Sequence, residues 1–386
     1  MNLGFIVLAY IGLMALSFFD NGRGAAYPDI LEHFKISTDM GSYLFSLVSL
    51  SGLFVNISSR WWLPITGLVG GTRFAMFCIG LGSFGVSYGA KLGNFPIALS
   101  FATVAGLGLG AFTIIMNILV AEGAPLKSRR RFLSGLHGVY GVSSFLAPQI
   151  INIFIFYGTN WIEFFQYISI VTGLVILYSF RVHDTHKESF KEAEKAYPIK
   201  LSSRLVIGLF MGLYVASEIV VSSRLSLYLS RALNFETVLA NSYLSYFFIA
   251  LMTGRLLFAF VNFKHDNRTL LLLGYSSSII CFLIGLFVHP LGLCAVGFTM
   301  SYIFPVSMDW LNEKFGSKTH IMLSSVMTTI GASLSFMHWG FGQLVEIVGV
   351  EKAFYGYLVL KVISLILFLF AEKIKVNLSE SAEAIA

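Results

Sequence analysis

A small set of ionisable side chains lies in strongly apolar surroundings, and their types and spacing suit ion pairing, anion binding and proton exchange. Asp20, Asn21 and Arg23 fall within one helical turn, and the i,i+3 spacing lets Asp20 and Arg23 share a face. Glu218 and Arg224 stand six residues apart, about 240° around a helix, which keeps them from pairing with each other. A planar, five-donor guanidinium suits a carboxylate or phosphate, so Arg23 and Arg224 are candidates to clamp an anionic group, with packing against carboxylates as the alternative. Asp20 and Glu218 are candidate proton carriers, because burial and a neighbouring cation can bring a carboxyl group into the working range. His137 and His338 are further relay candidates, since imidazole titrates near neutrality. Asn21, Asn117, Tyr140 and Tyr302 could add neutral hydrogen bonds to a polyol or a ring. Arg255 and Asp309, near matching ends of two helical runs, read as a gate or packing pair. Glu163 and Lys361 read as interfacial and peripheral residues without a role.

The elements that must hold these groups follow from composition. Of 386 residues, 56% are hydrophobic and 12% charged, against roughly 45–50% and about 25% in soluble domains. That excludes a water-soluble fold. Runs of about 20 apolar residues can cross a bilayer, and twelve such runs are present: 3–27, 40–59, 73–91, 95–120, 131–156, 160–181, 205–229, 237–261, 269–288, 290–313, 320–346 and 352–371. The stretch from Trp61 to Gly71, between the second and third, remains apolar and could be interfacial. The chain opens without a basic segment ahead of its first apolar run, so that run is expected to stay in the mature protein. Cys78, Cys281 and Cys294 lie inside apolar runs and read as small hydrophobes.

The net charge of +6 is explained by sidedness rather than by nucleic acid. With the N-terminus inside, inner loops hold 18 of the 26 Lys and Arg residues, outer loops hold Lys35, Lys91, Arg231 and Lys352, and spans hold Arg23, Arg224, Arg255 and Lys361. Basic residues are retained on the cytoplasmic side and contact the anionic leaflet there. Both termini are therefore expected in the cytoplasm, in a multi-pass protein of the inner or plasma membrane, with lipid as a partner and no nucleic acid.

The polar stretch 181–204 separates two sets of six spans, residues 1–180 and 205–372, followed by a tail at 373–386. The sets repeat. At an offset of 190, Phe132-Leu133-Ser134 meets Met322-Leu323-Ser324 and Gly141-Val142-Ser143 meets Gly331-Ala332-Ser333; at 200, Gly12-Leu13 and Ser17 meet Gly212-Leu213 and Ser217. The fold class is thus an all-α polytopic membrane protein of twelve transmembrane helices in two pseudo-symmetric halves, a recurrent transporter plan.

Local patterns sharpen this. Gly106-Leu107-Gly108-Leu109-Gly110 followed by Asn117, the segment from Arg131 to Gln149, Tyr214-Val215-Ala216-Ser217-Glu218, Gly254-Arg255-Leu256-Leu257 and Tyr302-Ile303-Phe304-Pro305 together resemble the fucose-permease-like branch of the major facilitator superfamily. The resemblance implies the major facilitator fold and proton-coupled sugar uptake. It also implies an acidic residue four positions before the helix asparagine, and here that position is Thr113.

A secondary carrier accounts for the spans, the repeat and the sparse buried charge. A membrane enzyme would need a reactive constellation, yet no His-Glu-x-x-His, Gly-x-Ser-x-Gly, acidic metal cluster or P-loop is present. No enzymatic activity, metal or cofactor is expected. A membrane sensor derived from a transporter would need an output domain, and the longest loop has about two dozen residues. The function expected is alternating-access transport of a small polar solute, a sugar or sugar-like molecule that could be anionic, by a monomer coupled to protons or another ion. The alternatives are an organic anion, organophosphate or siderophore-type carrier, and a drug exporter.

Overall fold

The computed structural model describes residues 1–183, 199–260, 265–316 and 319–374, so most of the 181–204 linker and nearly all of the 373–386 tail lie outside the described residues. Among the described residues the only regular structure is helical. The helices are α1 (Leu3–Phe34), α2 (Thr38–Lys91), α3 (Phe95–Gly123), α4 (Arg129–Phe156), α5 (Trp161–Ser179), α6 (Leu201–Arg231), α7 (Thr237–Phe260), α8 (Asn267–Phe287), α9 (Leu291–Met300), α10 (Ile303–Phe315), α11 (Thr319–Phe354) and α12 (Gly356–Lys373).

Twelve helices and twelve crossings coincide in number but not one to one. At 54 residues, α2 would be about 81 Å long, far beyond a hydrocarbon core of roughly 30 Å. It breaks at Gly67, whose φ of 66° is open to glycine and costly for other residues, three positions after Pro64. Its two arms make two crossings, and the Trp61–Gly71 stretch belongs to them rather than to a separate interfacial element. Conversely, α9 and α10 divide one crossing, Leu291–Phe315, at Ser301-Tyr302. Helix α11 turns non-helical at Gly349, and α11 and α12 meet at 77°.

Local chemistry sets the ends. Asn2, Asn94 and Asn160 cap α1, α3 and α5 with their side-chain oxygens, and Glu163 completes a capping box with Asn160. Asp266 caps α8 outside the apolar spans, and its hydrogen bond from Thr269 holds the carboxyl below its ordinary range. The glycine run of α3 allows close approach. A side chain at Gly106 or Gly110 would strike the backbone of Val48 or Gly52 on the first arm of α2, and one at Gly108 would strike Ala75 on the second. All three cysteines are free.

Helices α1–α5 and α6–α12 form two sets that meet along α1 with α6, α2 with α11, and α4 with α7. Two ends of the bundle differ. Arg60, Arg73, Lys127, Arg129, Arg131, Arg204, Arg268 and Lys314 mark a basic end, and the far end carries the α1–α2, α6–α7 and α11–α12 turns. At the far end the sets are bonded together. Asp29 accepts from the Thr237 hydroxyl at 3.3 Å, Glu32 meets Arg231 at 3.8 Å, and the Thr38 amide donates to Glu346 at 3.1 Å. Gln149 donates to Ser245 at 2.9 Å, and Asn152 to the Val238 carbonyl at 3.1 Å.

Candidate functional site

Asp20 lies 17 residues into α1 from Leu3, and Glu218 lies 17 residues into α6 from Leu201, about 26 Å of rise along each helix. Asp20 is bonded to Arg23, and its side chain keeps 34% of its surface accessible. Glu218 accepts from the Tyr214 hydroxyl at 2.8 Å on one oxygen and from Arg255 of α7 at 3.4 Å on the other. Tyr140 of α4 lies within electrostatic reach of Asp20, Arg255 and Glu218, and His137, one turn earlier, within reach of Arg255. One cluster therefore joins α1 and α4 of the first set to α6 and α7 of the second. His137 is exposed and Arg255 keeps 30% of its side-chain surface, so the cluster borders an open cleft.

The pairing expected between Arg255 and Asp309 is corrected by this geometry. Arg255 turns to the carboxylate of Glu218, while Asp309 is exposed on α10. The reason is reach across neighbouring helices: α6 packs on α7, and Glu218 presents its carboxylate to Arg255 at that contact.

Arg23 and Arg224 do not line the cleft in this state. Arg224 is 0% exposed and Arg23 5% exposed. The Arg224 guanidinium lies 4.0 Å from the centroid of Phe45, 4.5 Å from Tyr27 and 5.1 Å from Phe341. Arg23 lies 5.0 Å from the same Phe45 ring and 5.1 Å from Phe19. The two guanidiniums thus share the Phe45 ring. Aromatic faces are negative and can substitute for a counter-ion where water is excluded. Arg23 also donates to the Leu44 carbonyl at 2.8 Å. Arg224 has a single hydrogen-bond partner among the described residues, the Nδ1 of His338 at 3.3 Å, and its Nε and Nη1 have none. His338 is accordingly a neutral acceptor within this cage, packed on Phe45.

Of three further candidates, Asn21 adjoins Tyr140 of the cluster and the other two sit elsewhere. The Asn21 amide donates to Ser17 and Ser144 and ties α1 to α4. Asn117 donates to the Thr113 carbonyl one turn back on α3. Tyr302 stacks on Phe258 inside the second set, with ring centroids 5.3 Å apart. Two groups escaped the sequence reading. Tyr214 supplies the hydroxyl on Glu218, and Lys361, expected at the periphery, is 0% exposed beside Tyr214. Its signal was available: an ammonium in the middle of an apolar span is a functional candidate by default. Among the described residues no group of three His, Cys, Asp or Glu side chains could hold a metal ion.

Comparison with known proteins gives a consistent picture. Residues 9–338 match the family model described as Major Facilitator Superfamily. The xylose transporter XylE from E. coli, in an inward open conformation, superposes with a TM-score of 0.75 over 100% of both chains at 13% identity. FucP, a major facilitator superfamily transporter in the outward conformation, gives 0.65 over 95% of this chain and 97% of that one at 14% identity. A curated relative, Bypass of stop codon protein 6 of Saccharomyces cerevisiae, is 23% identical over 287 residues, which cover 66% of this chain and only 56% of that protein.

Proposed function

The chain belongs to the major facilitator superfamily, whose fold is that of multi-pass membrane transporters, and on that premise we propose that it is a secondary carrier moving a small, hydroxylated anionic solute together with protons. The observation that carries this reading is the Glu218–Arg255 pair, which shares Tyr140 with Asp20 and is partly open to the cleft. While Glu218 is ionised, Arg255 has a protein partner. A proton on Glu218 removes that negative charge and leaves the guanidinium free for a carboxylate or phosphate of the solute. Binding of each ligand then favours binding of the other, which is the reciprocal coupling that symport requires. The charge beside Arg255 is unchanged throughout, because the solute's anion replaces the carboxylate that the proton neutralised.

Charge balance supports an anion over a neutral sugar. Among the described residues of this region, Asp20 and Glu218 stand against Arg23, Arg224 and Arg255, two carboxylates against three cations. A solute bearing negative charge offsets part of that excess. Tyr140, beside Asp20 and Glu218, is the neutral group offered to its hydroxyls. Basic loops direct the basic end to the cytoplasm, so uptake into the cell, by a monomer in the inner or plasma membrane, is the direction proposed. A neutral sugar is the second reading, favoured by the fold's likeness to a xylose transporter.

Reconstituted vesicles under an imposed pH gradient separate the two. Glucuronate, gluconate and a sugar phosphate should compete for one another's uptake while glucose and xylose do not. Arg255→Gln should raise the half-saturation concentration at least about tenfold, a charge-assisted bond of roughly 1.5–3 kcal/mol being lost. Equal uptake of glucose and glucuronate, unaffected by Arg255→Gln, would overturn the anion assignment.

A further inference from the structure

Lys361 is the buried charge that the cleft mechanism leaves unused. It lies on α12, is 0% exposed, and its Nζ has no hydrogen-bond partner among the described residues. Three tyrosine rings surround it. The Nζ stands 4.7 Å from the Tyr214 centroid, 4.7 Å from Tyr275 and 5.9 Å from Tyr357. The hydroxyls are engaged elsewhere: Tyr275 with Ser364 at 2.6 Å, Tyr357 with the Met300 sulfur at 3.6 Å, and Tyr214 with Glu218. The amine therefore meets ring faces, which are suited to an ammonium but leave its three donors unsatisfied.

Packing alone does not account for that choice. A methionine would fill nearly the same space without the desolvation cost of a charge, and replacing buried ions by apolar groups of similar volume is commonly neutral or stabilising. The acidic group that acts on Lys361 is Glu218, across the Tyr214 ring. From the other side Glu218 meets Arg255. The remaining titratable groups packed around α12 point elsewhere. On α8 they are Tyr275 of the cage and the free Cys281 near Tyr357. On α11, His338 engages Arg224, Glu346 the Thr38 amide, and Glu351 the Tyr355 hydroxyl.

We propose that Lys361 is a positioning residue for proton loading, an internal amine that flanks Glu218 across the Tyr214 ring, opposite Arg255, and in its ammonium form favours the carboxylate until the solute occupies Arg255. This rests on Glu218 being the coupling carboxylate. Arg255 leaves Glu218 when the solute binds, whereas Lys361 is locked behind Tyr214 and stays. It thereby sets how readily the carboxyl is protonated in every state of the cycle. The sign follows: removing a nearby positive charge disfavours the carboxylate, so Glu218 accepts its proton at higher pH.

The test is the pH profile of proton-driven glucuronate uptake and of glucuronate-induced proton entry, in vesicles holding wild type, Lys361→Met, Lys361→Arg, Glu218→Gln, or Glu218→Gln with Lys361→Met. In Lys361→Met the alkaline limb should move up by about one pH unit, while exchange of glucuronate across the membrane at equal pH is retained. Lys361→Arg should keep the wild-type limb. Glu218→Gln should flatten the profile, and adding Lys361→Met to it should change nothing further. A Lys361→Met profile superposing on wild type, with Glu218→Gln flat, would overturn the role of Lys361 and spare that of Glu218. An unaltered Glu218→Gln profile would remove the underlying reading instead. Loss of inserted protein in both Lys361→Met and Lys361→Arg would assign Lys361 to packing and also overturn the proposal.

Discussion

At Arg224, a charge that would ordinarily need a carboxylate is held by ring faces and one imidazole nitrogen. Tyr27 and Phe45 come from the first set of helices, whereas Arg224, His338 and Phe341 come from the second. The cage is therefore a property of the contact between sets, and it dissolves when they separate. Phe45→Ala removes the ring shared by both guanidiniums. It should lower stability by about 3–5 kcal/mol, the usual cost of losing a buried phenylalanine, read as a fall in melting temperature in detergent. Phe45→Trp, which keeps a ring face, should lose less than half as much. The Asp20–Arg23 pair was legible in the sequence because both partners lie in one turn. The partners of Arg224, Arg255 and Lys361 were not, since each comes from a different helix and several are aromatic faces that no charge pattern marks.

At the scale of elements, glycine and proline decide where apolar sequence stops being one helix and becomes two. Pro64 and Gly67 divide α2, whose arms were legible as two apolar runs even though no polar loop separates them. The break between α9 and α10 was not legible, because Ser301-Tyr302 lies inside a run of ordinary hydropathy. The α3 glycines act in the opposite way, by removing side chains where backbones must touch. Gly110→Val would drive its side chain into the Gly52 backbone, and overpacking of that kind should cost about 1–3 kcal/mol or more. Gly340→Ala is the matched control, since nothing lies within 4 Å of the added carbon. Melting temperatures should fall clearly in the first and change little in the second. Equal values would mean that α2 and α3 do not rely on this approach.

For the whole molecule, the sequence repeat anticipates two sets of helices but not how they lean on each other. Bonds from Asp29, Glu32 and Glu346 join them at the far end, while Thr113 and His137 stand exposed. In a carrier that works by rocking two halves, a far end held shut implies access from the basic end. Asp29 and Thr237 are close enough, 3.3 Å between side-chain oxygens, for an engineered cysteine pair to cross-link. In a background lacking Cys78, Cys281 and Cys294, Asp29→Cys with Thr237→Cys should oxidise readily without solute, block uptake, and recover on reduction. Cross-linking should also leave a cysteine at position 113 open to an impermeant thiol reagent from the basic side and closed to it from the far side. Labelling of that cysteine from the far side in the cross-linked protein would show that the cleft opens the other way. Uptake that survived full cross-linking would show that separation of α1 from α7 is not part of the cycle, and alternating access would then have to proceed through α2 and α11 alone.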